Sequence, residues 1–213
     1  MSTFRKFNKK CAICGNESEY DTIMSTNSFG SPDLDLRPPQ MRRSTMWLWV
    51  QKCPECGYVN YTVDSRLNIT RELLESIEYI DSDGMNFKSE LADDFYKHYM
   101  LLSRCRNYME AYNALLYCAW ACDDANDIAT ASSIRKKMVK LYEKIPAYKR
   151  ENENIIAQYV DVLRRSSQFD VILEHFADFK ASDEVIQKVI GFQIALAKKE
   201  DTGVYTVRDA LES

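Results

Sequence analysis

The sequence predicts an α+β protein that is mainly α: a small β module tied by four cysteines, then an antiparallel helical body. Three observations carry this. The turns Cys11-Ala12-Ile13-Cys14-Gly15 and Cys53-Pro54-Glu55-Cys56-Gly57 repeat one pattern, with 38 residues between them. Aromatic and β-branched residues cluster around those turns at strand spacing, and from Asn68 onward the apolar period changes from two to 3.6. Only six glycines and five prolines in 213 residues leave no room for a low-complexity segment, so the whole chain is read as folded. The expected division is a metal module over 1–66 and a helical domain over 67–213.

Within the first part, two Cys-x-x-Cys pairs offer four thiolates to one tetrahedral site, so Cys11, Cys14, Cys53 and Cys56 are the predicted metal ligands. The glycine after each second cysteine permits positive φ, which turns amide N–H groups toward the sulfurs. Pro54 pre-sets φ in the second turn. Zn2+ is the expected ion. Iron is the competitor, because Cys-x-x-Cys-Gly and Cys-Pro-x-Cys-Gly also resemble rubredoxin knuckles. With all four positions thiolate, no coordination site stays open for water or substrate, so the predicted role is structural. A module this short has little core, and metal binding can supply about 10–16 kcal/mol of folding free energy.

Strands are expected over Glu19–Ser25, Met46–Gln51 and Tyr58–Val63, the last two pairing as a hairpin around the second knuckle, the layout of a zinc ribbon. Between the knuckles runs a loop from Ser25 to Gln40 that is dominated by turn residues and held extended at Pro38-Pro39. Asp33, Asp35, Arg37, Arg42 and Arg43 make it either a surface loop linked by its own Asp–Arg pairs or a recognition loop for phosphate or carboxylate. Trp47, Trp49, Tyr58 and Tyr61 stand ready to stack on bases in the second case. Residues through Arg66 carry nine Lys/Arg against seven Asp/Glu and the remainder 19 against 25, so an anionic partner, if there is one, is expected to meet the front.

The helical body starts with a short helix through Leu73, Ile77 and Ile80, stopped near Gly84. Leu91, Phe95, Tyr99 and Leu102 mark the next, and Tyr108, Ala111, Leu115, Ala119 and Cys122 the third. Asp127 caps a long helix striped by Ile128, Ile134, Met138 and Ile145 and closed by Pro146. Three more are centred on Tyr159, on Ile172 through Phe179, and on Val189. Short loops between them imply antiparallel neighbours. Arg106–Ala111 and Ser167–Ile172 each resemble half of a tetratricopeptide unit, although 61 residues between them is not a clean multiple of that repeat. The body is therefore an irregular bundle or a degenerate repeat. Residues 201–213 are expected to dock or fray.

The Cys-Ala-Ile-Cys-Gly turn, the loop Ser25–Pro38 and Trp49-Val50-Gln51-Lys52-Cys53-Pro54-Glu55-Cys56-Gly57-Tyr58 together resemble a bacterial family. Its members have a two-knuckle, zinc-ribbon-like N-terminus followed by tetratricopeptide-like helices. The resemblance is close over residues 11–61. It implies metal ligation at Cys11, Cys14, Cys53 and Cys56 and implies no particular reaction.

Other chemistry-bearing residues read as structural. Cys118 and Cys122 share a helical face with Trp120 between them and are expected in the core, with Cys105 and His98 upstream. His98 and His175 lack a nucleophile at motif spacing. Asp93-Asp94 and Asp123-Asp124 point in diverging directions and are expected in solvent. There is no glycine-rich phosphate loop and no nucleophile elbow. The reading is a non-enzymatic, metal-binding adaptor for a protein or peptide. Nucleic-acid binding through Arg5–Lys10 and Arg37–Arg43, and a redox or metal-sensing role, are the alternatives. Seven cysteines with four in metal spacing fit a reducing cytoplasm, no stretch reaches the roughly 18 apolar residues of a membrane span, and the first ten residues lack the apolar region of a secretory signal.

Overall fold

A computed structural model describes residues 2–213, with small antiparallel hairpins near the front and helices over most of the rest, which is the expected α+β class. Contacts divide the chain elsewhere than at residue 66. One unit runs to Asn27 and resumes over Met41–Ala131; the second comprises Ser28–Gln40 and Ser132–Ser213.

In the first unit, β1 (Thr3–Lys10) pairs antiparallel with β2 (Glu17–Ser25), Phe4 opposite Ile23 and Lys10 opposite Glu17. The basic N-terminal stretch is thus a strand, and two of its three lysines face acids: Lys6 pairs with Glu19 at 3.7 Å and Lys10 with Glu17 at 4.0 Å. The first knuckle is the turn between these strands. The second joins β3 (Gln51–Lys52) to β4 (Val59–Asn60), as expected for a knuckle hairpin but with two-residue strands. The first half of the expected strand over Met46–Gln51 is instead the end of a 3-10 helix, Arg43–Leu48. Thr45 explains this: its hydroxyl donates to the Arg42 carbonyl at 2.7 Å and accepts from the Trp49 indole at 3.1 Å, winding the backbone between them.

The expected helix through Leu73 and Ile80 is two single turns, α1 (Arg71–Leu74) and α2 (Ile77–Ile80). Ser76 breaks it by capping α2, its hydroxyl accepting from the Tyr79 amide. The face also differs from the expected one, since Leu74 and Tyr79 are buried while Ile77 and Ile80 are exposed. The helix α3 (Glu90–Arg104) then lies along α4 (Tyr108–Asp124), and Cys118 and Cys122 are core thiols as expected. Asp93 and Asp94 are not left to solvent. Asp94 pairs with Lys52 at 3.0 Å and Asp93 with Lys97 at 2.8 Å.

The unit boundary falls inside α5 (Ile128–Tyr142). The second unit continues through α6 (Ala147–Arg150), α7 (Glu153–Arg165), α8 (Phe169–His175), α9 (Glu184–Ala197) and α10 (Val207–Leu211). Here α9 packs on α7 and α10, and α8 on α7. The tail docks: Thr206 and Asp209 form a capping box that starts α10.

Residues 28–40 belong to this second unit, and their centre is not a surface loop. Leu34 is 1 % exposed and joins Ala157, Ile190 and Ala210 in one core. Its amide donates to the Tyr205 carbonyl at 3.0 Å, and the Val207 amide donates to the Pro32 carbonyl at 2.9 Å. Asp33, Asp35 and Arg37 are buried as well. Asp35 meets Arg165 of α7 at 3.5 Å, and Gln158 donates to its carbonyl at 2.9 Å.

One local turn recurs where helices end. Arg106, Asn126, Ser167 and Glu200 each take a left-handed φ of 52 to 61°. The amides of Asn107, Asp127, Gln168 and Asp201 then reach back to Leu102, Cys122, Leu163 and Leu196 at 2.9 to 3.1 Å. That is the bond pattern of a Schellman cap, made without glycine. Two of these turns, at Arg106 and Ser167, open the two stretches singled out in the sequence.

Leu34→Ala removes a fully buried side chain, so it should lower the stability of the second unit by about 2–5 kcal/mol. Metal content should not change. Chemical denaturation followed by helical circular dichroism, with metal analysis of the same sample, checks both expectations.

Candidate metal centre

Both knuckles are built alike. The Cys11 amide donates to Asn16 O at 2.8 Å and the Gly15 amide returns to Cys11 O at 2.9 Å; Cys53 with Tyr58, and Gly57 with Cys53, repeat this at 2.8 and 3.0 Å. Gly15 and Gly57 sit at φ +79 and +70°, a conformation costly for other residues. The turn exposes inner amides to the sulfurs, so that Asn16 serves Cys14, Glu55 and Cys56 serve Cys53, and Tyr58 serves Cys56.

The four predicted ligands come together. Their Sγ atoms all lie within 4.8 Å of one another, with Cys11 3.7 Å from Cys56 and Cys14 3.6 Å from Cys53. Cys11 and Cys53 are buried, and Cys14 and Cys56 are half-buried. All seven cysteines are free thiols, and no other group of three or more ligand side chains meets among the described residues. Four converging thiols on two amide-rich turns are a donor set that suits a soft or borderline metal ion. Burial pushes the Cys53 and Cys56 thiols up, so an entering ion must displace protons. At Cys14 burial also pushes upward but is outweighed by the Asn16 amide and the neighbouring thiols, which leave it lowered.

Helices hold the knuckles in place. Cys11 and Cys53 share a core with Tyr58, Leu74, Tyr79 and Leu101, so the first helices and the cysteine turns bury the same surface. The Tyr79 hydroxyl donates to Gly57 O at 2.7 Å, and the Ala12 amide donates to Val63 O at 2.9 Å. Cys105 packs on this cluster without joining it, its thiol reaching Asn68 O at 3.6 Å.

His98 is fully buried. Its Nε2 lies 3.0 Å from Asn60 Oδ1 and its ring stands edge-on to Tyr61 at 4.4 Å. Asn60 Oδ1 also accepts from the Tyr61 amide, so the histidine carries its proton on Nε2. This bond ties β4, which leaves the second knuckle, to α3. The sequence pattern flagged His98 only as isolated, because nothing in spacing joins it to Asn60, 38 residues earlier. His175 is exposed beside Glu174.

Comparison with protein-family models, curated proteins and solved structures finds no match to this chain. The four-cysteine cluster and the helical body are the parts of the noted resemblance that the structure contains.

Burial pushes the His98 pKa down to about 3. Protons therefore bind the unfolded chain more readily, so this group's contribution is complete above about pH 6.5 and is lost as pH falls from there toward 3. By pH 5 the loss is up to about 2 kcal/mol. Denaturation midpoints at pH 5 and 8 should differ by less in His98→Gln than in the wild type, and an equal difference would remove His98 as a source.

Proposed function

We propose that Cys11, Cys14, Cys53 and Cys56 bind one structural zinc ion in a non-enzymatic protein that works as an adaptor for a protein or peptide. The gathering of all four sulfurs within 4.8 Å, on two turns of the same build, carries this reading. Zinc suits a closed tetrathiolate set that has no position left for water, and such a site contributes folding energy rather than chemistry. The shared core of the knuckles with Leu74, Tyr79 and Leu101 supports a structural role. An adaptor needs an apolar surface for its partner, and Phe4, Met24 and Trp47 are exposed in the first unit, Phe4 lying edge-on to Trp47 at 5.9 Å.

The protein purified without added metal is expected to carry one zinc per chain by elemental analysis. Cys53→Ser should lose it and part of the helical signal, with the helices of the second unit persisting. Stoichiometric iron with a red colour would reassign the ion, and full stability after chelation would reject the structural role. Phe4→Ser combined with Trp47→Ala should keep zinc and helicity while losing a partner recovered with the wild type; recovery of the same partner by the variant would reject the adaptor surface.

A further inference from the structure

The first unit holds a cleft of about 350 Å³ apart from the cysteine cluster. It is lined by Ile23, Thr26, Arg42 and Thr45 and by the rings of Trp49, Tyr61 and Tyr117. The rings are fixed from behind. The Trp49 indole donates to Thr45 at 3.1 Å, and the Tyr61 hydroxyl donates to Glu110 at 3.1 Å. Tyr117 stands edge-on to Trp49 at 5.3 Å and to Phe95 at 5.5 Å. Little ordering is left for a ligand to impose, which favours binding.

Six cations elsewhere in the unit are held by carboxylates: Lys6, Lys10, Lys52, Arg71, Lys97 and Arg104 each face one within 4.0 Å. Arg42 has no such partner among the described residues; its guanidinium is exposed and lies 6.0 Å from the Trp49 ring centroid. The Tyr117 hydroxyl likewise has no hydrogen-bond partner among them. Burial pushes its pKa up, so it remains a donor at neutral pH. A cation, a tyrosine and aromatic ring surface thus line space for one ring system, at the small end of ligand sites.

We propose that this cleft binds a single planar aromatic acid, its ring against Trp49 and Tyr117 and its acidic group on Arg42. A guanidinium fork matches carboxylate or phosphate, and ring stacking tolerates many heterocycles. The ligand is one unit rather than a polyanion. The first unit contains 13 Lys/Arg against 17 Asp/Glu, so no basic field surrounds the cleft to hold a nucleic-acid strand.

The test uses the metal-loaded full chain, with tryptophan fluorescence and calorimetry as readouts. Adenosine monophosphate is compared with adenosine, and indole-3-acetate with indole-3-acetamide, with inorganic phosphate alone as a further arm. At least one acid should bind at one site per chain, about tenfold or more tighter than its neutral counterpart. Which acid does so separates a nucleotide source from an aromatic carboxylate source. Arg42→Gln should erase the preference while zinc content stays at the wild-type level, so that failure here is distinct from failure of the metal site. Absence of saturable binding, equal affinity for acid and neutral forms, an unchanged Arg42→Gln variant, or phosphate binding as tightly as the acids would overturn the proposal. So would a single-stranded oligonucleotide that outcompetes the monophosphate at this site.

Discussion

The convergence of four sulfurs is the constraint on which the first unit depends. Its second hairpin has strands of only two residues, far below what stabilises a hairpin alone in water. What fixes it is the pair of cysteines at its turn, set against the other pair, with Tyr58, Leu74, Tyr79 and Leu101 closing over them. The glycines at positive φ allow the backbone to curl tightly enough for amides to face sulfur. Each of these features is small, and each presupposes the others.

Much of this was legible in the sequence because cysteine spacing and a following glycine have few other uses. Helix positions were legible too, because apolar residues at 3.6 spacing bury one stripe. Two misses share a cause: a local hydrogen bond outweighed the pattern. Thr45 wound an aromatic, strand-like stretch into a 3-10 helix, and Ser76 cut one helix into two. In β1 the alternation was hidden because its residues are almost all exposed and polar, and only pairing with β2 reveals it. The Arg42 cleft draws on residues from 23 to 117, a separation that no motif spans.

The loop over 28–40 was misplaced for a different reason. Asp and Arg are seldom buried, so a run containing Asp33, Asp35 and Arg37 reads as surface. Their burial is made tolerable by partners that are distant in sequence. Arg165 reaches Asp35 and Gln158 donates to its carbonyl, while within α7 Arg164 pairs with Asp161, three residues before it, at 2.6 Å and donates to the Asp201 carbonyl at 2.8 Å. Burial pushes the Asp161 carboxyl up against the pull of Arg164, which marks how costly the arrangement is without its partner. Buried pairs of this kind add little net stability over apolar residues of equal size. They do make one register of the loop much better than its alternatives, because any shift would strand a charge.

Chain order then places these two constraints in series. The segment between Cys14 and Cys53 contains residues 28–40, so closing the sulfur cluster also closes a loop whose middle belongs to the second unit. Loop closure costs rise only slowly with length, so the 38 intervening residues are a mild burden on the cysteine cluster. The anchors of the insert are more demanding. Leu34 meets Tyr205, and Ser31 accepts from the Arg208 amide across 177 positions, which requires α7 to α10 to be in place. The cysteine turns need only their own hairpins and the helices beside them, whereas the insert needs the far end of the chain. A sequence read for local pattern therefore sees the cysteine turns plainly and the insert scarcely at all.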